Sequence, residues 1–262
     1  IRDFILAEPQ TKVKEIMDGR FIALHVNDDQ EMASEVFKMN NRVALPVISK
    51  SDKLLGIVTI DDILWVAEEE FSEDMQKMGG TAALEAPYLD VPIFKLYKKR
   101  IIWLIILFVG ETLTIIAMSN FQKTLEQVLV LSTFIPLIIS SGGNSGSQAA
   151  TLIIQALALG EITVKDWWRI ARREIFSGIF MGVTLGIFGF LIIYGGYQFF
   201  GLFGEHFIRI GFAIGIAIIG VVTWGTIMGS MLPLLLKRLG ADPATSSTPF
   251  IATLVDVTGL LI

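Results

Sequence analysis

Two hydrophobic rhythms divide the chain near Tyr97. Before it, apolar residues come in runs of about five or six, set between polar turns. Phe21 to Val26 reads as a strand, and Asp28-Asp29-Gln30-Glu31 opens a helix through Met39 with its acids at the positive end of the helix dipole. Ala44 to Ile48 and Leu54 to Thr59 are β-rich runs joined by the polar turn Ser49-Lys50-Ser51-Asp52-Lys53. A helix follows from Ile60 or Asp61. The order β-α-β-β-α predicts a small α/β module. Glu68 to Met75 then favours helix by propensity, until Gly79-Gly80 and Pro87 interrupt it. This stretch reads either as an exposed linker helix or as a connecting rod that transmits the state of one domain to the other.

Beyond Tyr97 the apolar runs lengthen. About 20 residues at 1.5 Å rise cross a hydrocarbon core of roughly 30 Å, and five such segments are predicted at 101–118, 128–160, 175–198, 207–236 and 245–262. Lysine and arginine distribution orients them. Lys95, Lys98, Lys99 and Arg100 fall on one side with Lys165, Arg169, Arg172, Arg173, Lys237 and Arg238, whereas only Lys123 and Arg209 fall on the other. The amino-terminal domain is therefore expected in the cytosol of a multi-pass protein of the cell membrane.

Of the 26 acidic residues, 18 precede residue 98, against 10 of the 21 basic ones. A domain so acidic lacks the basic face that nucleic acid requires. With no cysteine, disulfides and thiolate metal sites are excluded, and His25 and His206 lie in different halves. Ile1 opens the chain without a methionine and Ile262 stops inside an apolar segment, so a piece of a longer protein is expected.

Three features carry candidate chemistry. The run Pro136 to Thr151 is glycine-rich and polar in mid-span, with Gly142, Gly143, Asn144 and Gln148 among its members. Irregular backbone at membrane depth is tolerated where it lines a water-filled cavity, so a broken, pore-lining second span is expected. Asp256, within Ile251 to Ile262, is an intramembrane carboxylate with no counter-ion in sight. Such an acid costs roughly 2.5–3.5 kcal/mol on insertion scales and faces a partner or an aqueous path, where it attracts cations. Glu111 is a weaker second candidate. An aspartyl protease would need a paired carboxylate within reach, and Asp256 has only a Glu111 expected to be distant or its own symmetry mate, so no enzyme activity is predicted. Gly178, Gly182 and Gly186, Gly211 with Gly215, and Gly225 with Gly229 fall at the spacing of close helix packing in lipid.

Arg42 to Ile48 followed by Gly56 to Leu64 resembles the core of a CBS domain, a paired regulatory module that commonly binds nucleotides or ions; Ile1 to Ile16 resembles the exit from a preceding copy. Gly142 to Leu152, and Asp242-Pro243-Ala244 through Leu254 to Leu261, resemble the MgtE family of magnesium transporters. The resemblance implies a CBS module at 1–67, a connecting helix and linker at 68–97, and a transmembrane pore domain at 98–262. The fold class is thus an α-helical membrane domain of five transmembrane helices preceded by a small α/β CBS domain and a connecting helix.

What the resemblance further implies is a homodimer in the lipid bilayer, with a pore on its two-fold axis lined by the second and fifth spans. Asp256 and Asn144 fall on its ion-binding positions, and Pro136, Gly142, Gly143, Gln148 and Gly259 on its lining. Asp29, Asp62, Glu70, Glu73 and Asp74 occupy acidic positions of a cytosolic Mg²⁺ sensor that shuts the pore. Trp65 departs from relatives that carry a further acid there. Mg²⁺ is then both substrate and regulator. Because Mg²⁺ sheds water reluctantly, a few carboxylates and carbonyls gripping a hydrated ion suit it. An alternative is a nucleotide-regulated transporter of Co²⁺ or Mn²⁺, with ATP at Thr59 and Asp62, where CBS modules often hold a ribose.

Overall fold

The computed structural model describes residues 6–16, 21–127 and 129–262, with the side chains of 123–127 outside the description. Ile1 to Ile5, part of the segment expected to leave a preceding CBS copy, lie outside the described residues. The chain divides into two compact units, Ile1–Ser72 and Glu73–Ile262.

The first unit contains α1 (Val13–Ile16), β1 (Leu24–His25), α2 (Gln30–Asn40), β2 (Ala44–Ile48), β3 (Leu54–Thr59) and the start of α3 (Ile60–Met78). Its sheet runs β1-β2-β3, with β1 parallel and β3 antiparallel to β2. The predicted strand at 21–26 contracts to two residues, extended by the bond from Val26 N to the Ile48 carbonyl. A parallel partner in β2 reaches only this far, and Asp28 bonds back to His25 to turn the chain. Asp29 caps α2, its Oδ1 accepting from Glu31 N at 2.9 Å, and Asn41 closes the helix in the left-handed conformation. Leu24, Ala33, Phe37, Leu45 and Ile63 form the core between sheet and helices.

In the second unit α3 ends at Met78. It is followed by α4 (Ile93–Gln127), α5 (Leu129–Ser132), α6 (Ile135–Ala158), α7 (Trp167–Phe200), α8 (Phe207–Arg238) and α9 (Thr248–Gly259). Four stretches, Ile93–Gln122, Leu129–Ala158, Val164–Phe200 and Gly204–Arg238, are long and apolar enough to cross a membrane. They make this a multi-pass membrane protein. At 12 residues, α9 rises about 18 Å, short of the ~30 Å of a bilayer core.

The second span is not broken where the glycines and serines fall. Ile135 to Ala158 is one continuous helix, and the interruption lies earlier, at Thr133-Phe134. Helical geometry satisfies the backbone internally, and the small residues serve a different purpose: they let α6 and α8 touch. A Cβ on Gly146 would stand 2.7 Å from the Gly225 carbonyl oxygen, and Gly225 and Gly229 meet the Gly142 and Gly146 carbonyls in turn. On the opposite side of α8, Gly178, Gly182 and Gly186 of α7 pack against Thr223, Ile219 and Gly215. The glycine spacing of α7 and α8 is thus helix packing, as its sequence suggests.

Candidate functional site

Two small helical turns deliver α9 to its place. Asp242 caps the turn Pro243–Thr245, its Oδ1 accepting from Ala244 N at 2.8 Å. Ser247, fully buried, caps α9 itself by accepting from Phe250 N. Ile251, Val255 and Gly259, four residues apart, form the buried stripe of α9, packed with Ala150 and Ile154 of α6 and Val221 of α8. Beside this stripe lies Asp256, half-buried. Gly143 leaves it room: a Cβ there would stand 3.8 Å from Asp256 Oδ1 and 3.6 Å from the Ala252 backbone.

Glu111 is not distant from Asp256. Gly110 of α4 meets α9 so closely that a Cβ would lie 3.1 Å from Thr253 Cγ2, and one residue on, the Glu111 carboxyl interacts with that of Asp256. Thr114 Oγ1 donates to Glu111 Oε2 at 3.3 Å, steadying it. The sequence separates these acids by most of the membrane domain, whereas helix packing joins them. Two carboxylates that interact in this way repel when both are ionised.

Other candidates fall differently. Asn144 and Gln148 are exposed along α6, Pro136 sits in its first turn, Gly142 is buried against Val221 and Val255, and Gly259 packs on Val221. Neither Asn144 nor Gln148 is on the face that meets α8, which belongs to Gly142 and Gly146.

Among the described residues no group of three or more histidine or acidic side chains could hold a metal ion. Asp29 caps α2, Asp62 accepts from both Thr59 N and Thr59 Oγ1, and Glu70 accepts from Gln30 Nε2 at 2.8 Å. The proposed nucleotide residues Thr59 and Asp62 are therefore bonded to each other. Glu73 meets a cation already on the chain: Lys77 Nζ lies 2.7 Å from Glu73 Oε1 and 2.7 Å from Asp242 Oδ2. Partial burial opposes charging of Lys77, but the hydrogen bonds to Asp242 and Glu73 outweigh it and hold the ammonium above the usual lysine range.

Sequence reasoning missed this joint between α3 and the approach to α9, because its partners lie 165 residues apart. Thr248 Oγ1 donates to the Met78 carbonyl across the same joint, and Met78 belongs to the core beneath α9. Gly80 completes it: its φ of +74° suits glycine, and a Cβ there would press within 2.7 Å of the Trp103 ring.

A bundle of helices long and apolar enough to cross a membrane, in one chain with a small α/β module, defines an integral membrane protein. The comparisons agree. Residues 135–262 match the family described as MgtE, divalent cation transporter, and residues 13–69 match the CBS domain. Residues 135–262 are thus of the MgtE family, and the named relatives are magnesium transporters rather than enzymes. The chain is 37% identical over 262 residues to the magnesium transporter MgtE of Thermus thermophilus, and 34% and 30% identical to those of Enterococcus faecalis and Bacillus subtilis. All of the chain is covered in each case, and it spans 56%, 55% and 56% of those relatives.

Proposed function

We propose that this chain is the regulatory and pore-forming portion of a Mg²⁺ channel or transporter that mediates divalent-cation uptake. The observation that carries the reading is Asp256: a carboxylate held beside Gly143 and Glu111 by a helix whose apolar stripe is buried in a membrane bundle. The names of the relatives supply the ion, Mg²⁺.

In this reading α9 begins a fifth span, and a homodimer brings two copies of Asp256 and Asn144 to one axis. Pro136, Gly142, Gly143, Gln148 and Gly259 belong to the wall or its support. Mg²⁺ keeps most of its water, so a few carboxylates and amide oxygens hold it through that shell.

The CBS module and the connecting helix α3 lie in the cytosol and sense Mg²⁺ through Asp29 and Asp62 of the one and Glu70, Glu73 and Asp74 of the other. Ion binding favours one arrangement of these acids over another, which is what ligand control requires. The Lys77 joint supplies a physical link from α3 to the turn before α9.

Mg²⁺ uptake into proteoliposomes by the full-length protein tests the function, with internal Mg²⁺ varied. Uptake above protein-free vesicles that falls as internal Mg²⁺ rises is expected, together with sustained uptake when the five sensor acids are changed to alanine. Uptake no greater than in protein-free vesicles would remove the transport reading. Unchanged closure in the alanine variant would remove the sensor.

A further inference from the structure

The helix α9 is pinned at two points by indole N–H groups from two different helices. At its start, Trp103 Nε1 of α4 donates to Ser247 Oγ at 3.0 Å, the same buried oxygen that caps α9 by accepting from Phe250 N. Three turns on, Trp224 Nε1 of α8 donates to Thr258 Oγ1 at 2.8 Å. The Thr258 hydroxyl spends its own hydrogen on the Leu254 carbonyl at 2.7 Å, which leaves a lone pair for the indole.

Thr258 is two residues beyond Asp256, about 200° around a helix of 3.6 residues per turn. Holding Thr258 against α8 therefore turns Asp256 the other way, toward Gly143 of α6 and Glu111 of α4. The buried stripe Ile251-Val255-Gly259 cannot fix this alone. Apolar contact is non-directional and tolerates small rotations and slides, whereas a hydrogen bond falls off steeply with angle. Two such bonds about 11 residues apart, one at the cap and one three turns on, set both the depth and the rotation of this stretch of α9.

We propose that Trp103 and Trp224 are positioning residues that hold Asp256 in the orientation on which discrimination between divalent cations depends. This rests on the reading of Asp256 as a cation site. Mg²⁺ demands near-ideal geometry at its ligands and retained waters, while Ca²⁺ accepts larger and more variable shells. A helix free to rotate by a few degrees loses preference for the first before it loses the second.

The test measures Mg²⁺ and Ca²⁺ uptake in the same proteoliposomes of the full-length protein. Trp224→Phe keeps the ring and removes the donor; Thr258→Val keeps the shape and removes the acceptor. Each is expected to lower the Mg²⁺-to-Ca²⁺ uptake ratio by about fivefold, the equivalent of one ordinary hydrogen bond. The double variant should match either single one, because both remove the same bond. Thr258→Ser, which restores an acceptor, should restore the ratio, and Trp103→Phe should act in the same direction through the cap.

A ratio unchanged in both Trp224→Phe and Thr258→Val, with Asp256→Asn abolishing uptake of both ions, overturns the clamp while leaving the cation site standing. Wild-type uptake of both ions by Asp256→Asn overturns the site on which the clamp rests. Should Trp224→Phe fail to fold, the contrast of Thr258→Val with Thr258→Ser decides alone: equal ratios overturn the proposal.

Discussion

The two helices that flank α6 are held by opposite means. α8 meets α6 and α7 through glycines, backbone against backbone, with carbonyls where side chains would otherwise stand. Ser145 and Thr226 share a buried hydroxyl bond of 2.8 Å across the α6–α8 contact, and Thr226 donates in turn to the Val222 carbonyl. α9 instead is placed by side chains: two indoles, a serine cap, a lysine joint at its approach, and one apolar stripe. Backbone contacts of the first kind have one good arrangement and resist change. Side-chain contacts of the second kind can be lost and remade singly. The lesson is a division between a backbone-packed scaffold and a helix placed by side chains within one small bundle.

The largest effect is expected where the scaffold is filled. Gly229→Val places methyl groups on the Gly146 carbonyl, backbone that cannot swing aside. Overpacking of this sort costs typically 1–3 kcal/mol and occasionally more, and here at least about 3 kcal/mol is expected. Thermal unfolding of the detergent-solubilised protein measures it. A variant as stable as the parent would show that α6 and α8 are not in backbone contact and would dissolve the comparison.

Next comes the joint before α9. Lys77→Met leaves Glu73 and Asp242 without their shared cation. A loss of about 1–2 kcal/mol is expected, from hydrogen bonds to charged groups that are partly buried. Lys77→Arg should keep most of that stability. The comparison sharpens if Lys77→Met also weakens closure at high internal Mg²⁺ while Gly229 variants that fold leave it intact.

The smallest effect concerns the surface. Glu85 is exposed and paired with Lys95 at 2.8 Å and Lys99 at 3.2 Å, hydrogen bonds that hold its carboxyl below the usual glutamate range. Its folded pKa is the lower one, so its contribution is complete above the unfolded value of about 4.3 and fades as pH falls through the folded value. Melting profiles of the parent and Glu85→Gln should converge at the acid end and differ only slightly at neutral pH, because exposed pairs contribute little.

Much of this is legible in the sequence, for local reasons. β2 and β3 lie where the two β-rich runs and the polar turn between them put them, and α3 starts at Ile60 and stops before Gly79. Four long apolar runs form four long helices, and Gly178, Gly182 and Gly186 pack as their spacing implies. The run at Gly142 to Ser147 misleads because its composition suggests irregular backbone; the four-residue spacing of Gly142 and Gly146 is the signal for helix contact. Glu111 beside Asp256, Trp224 on Thr258 and Lys77 on Asp242 are products of tertiary packing. No local pattern announces a pairing that the fold makes across 34 to 165 residues.

The central claim, that cations pass by the carboxylate of α9, is tested most directly by Mg²⁺ uptake into proteoliposomes with Asp256→Asn beside the parent. The amide keeps size and hydrogen bonding and removes the charge. Uptake reduced at least about tenfold, equal to roughly 1.4 kcal/mol at the barrier, with unchanged melting temperature, is the expected result. Uptake equal to the parent would contradict the account and make Asp256 a structural residue.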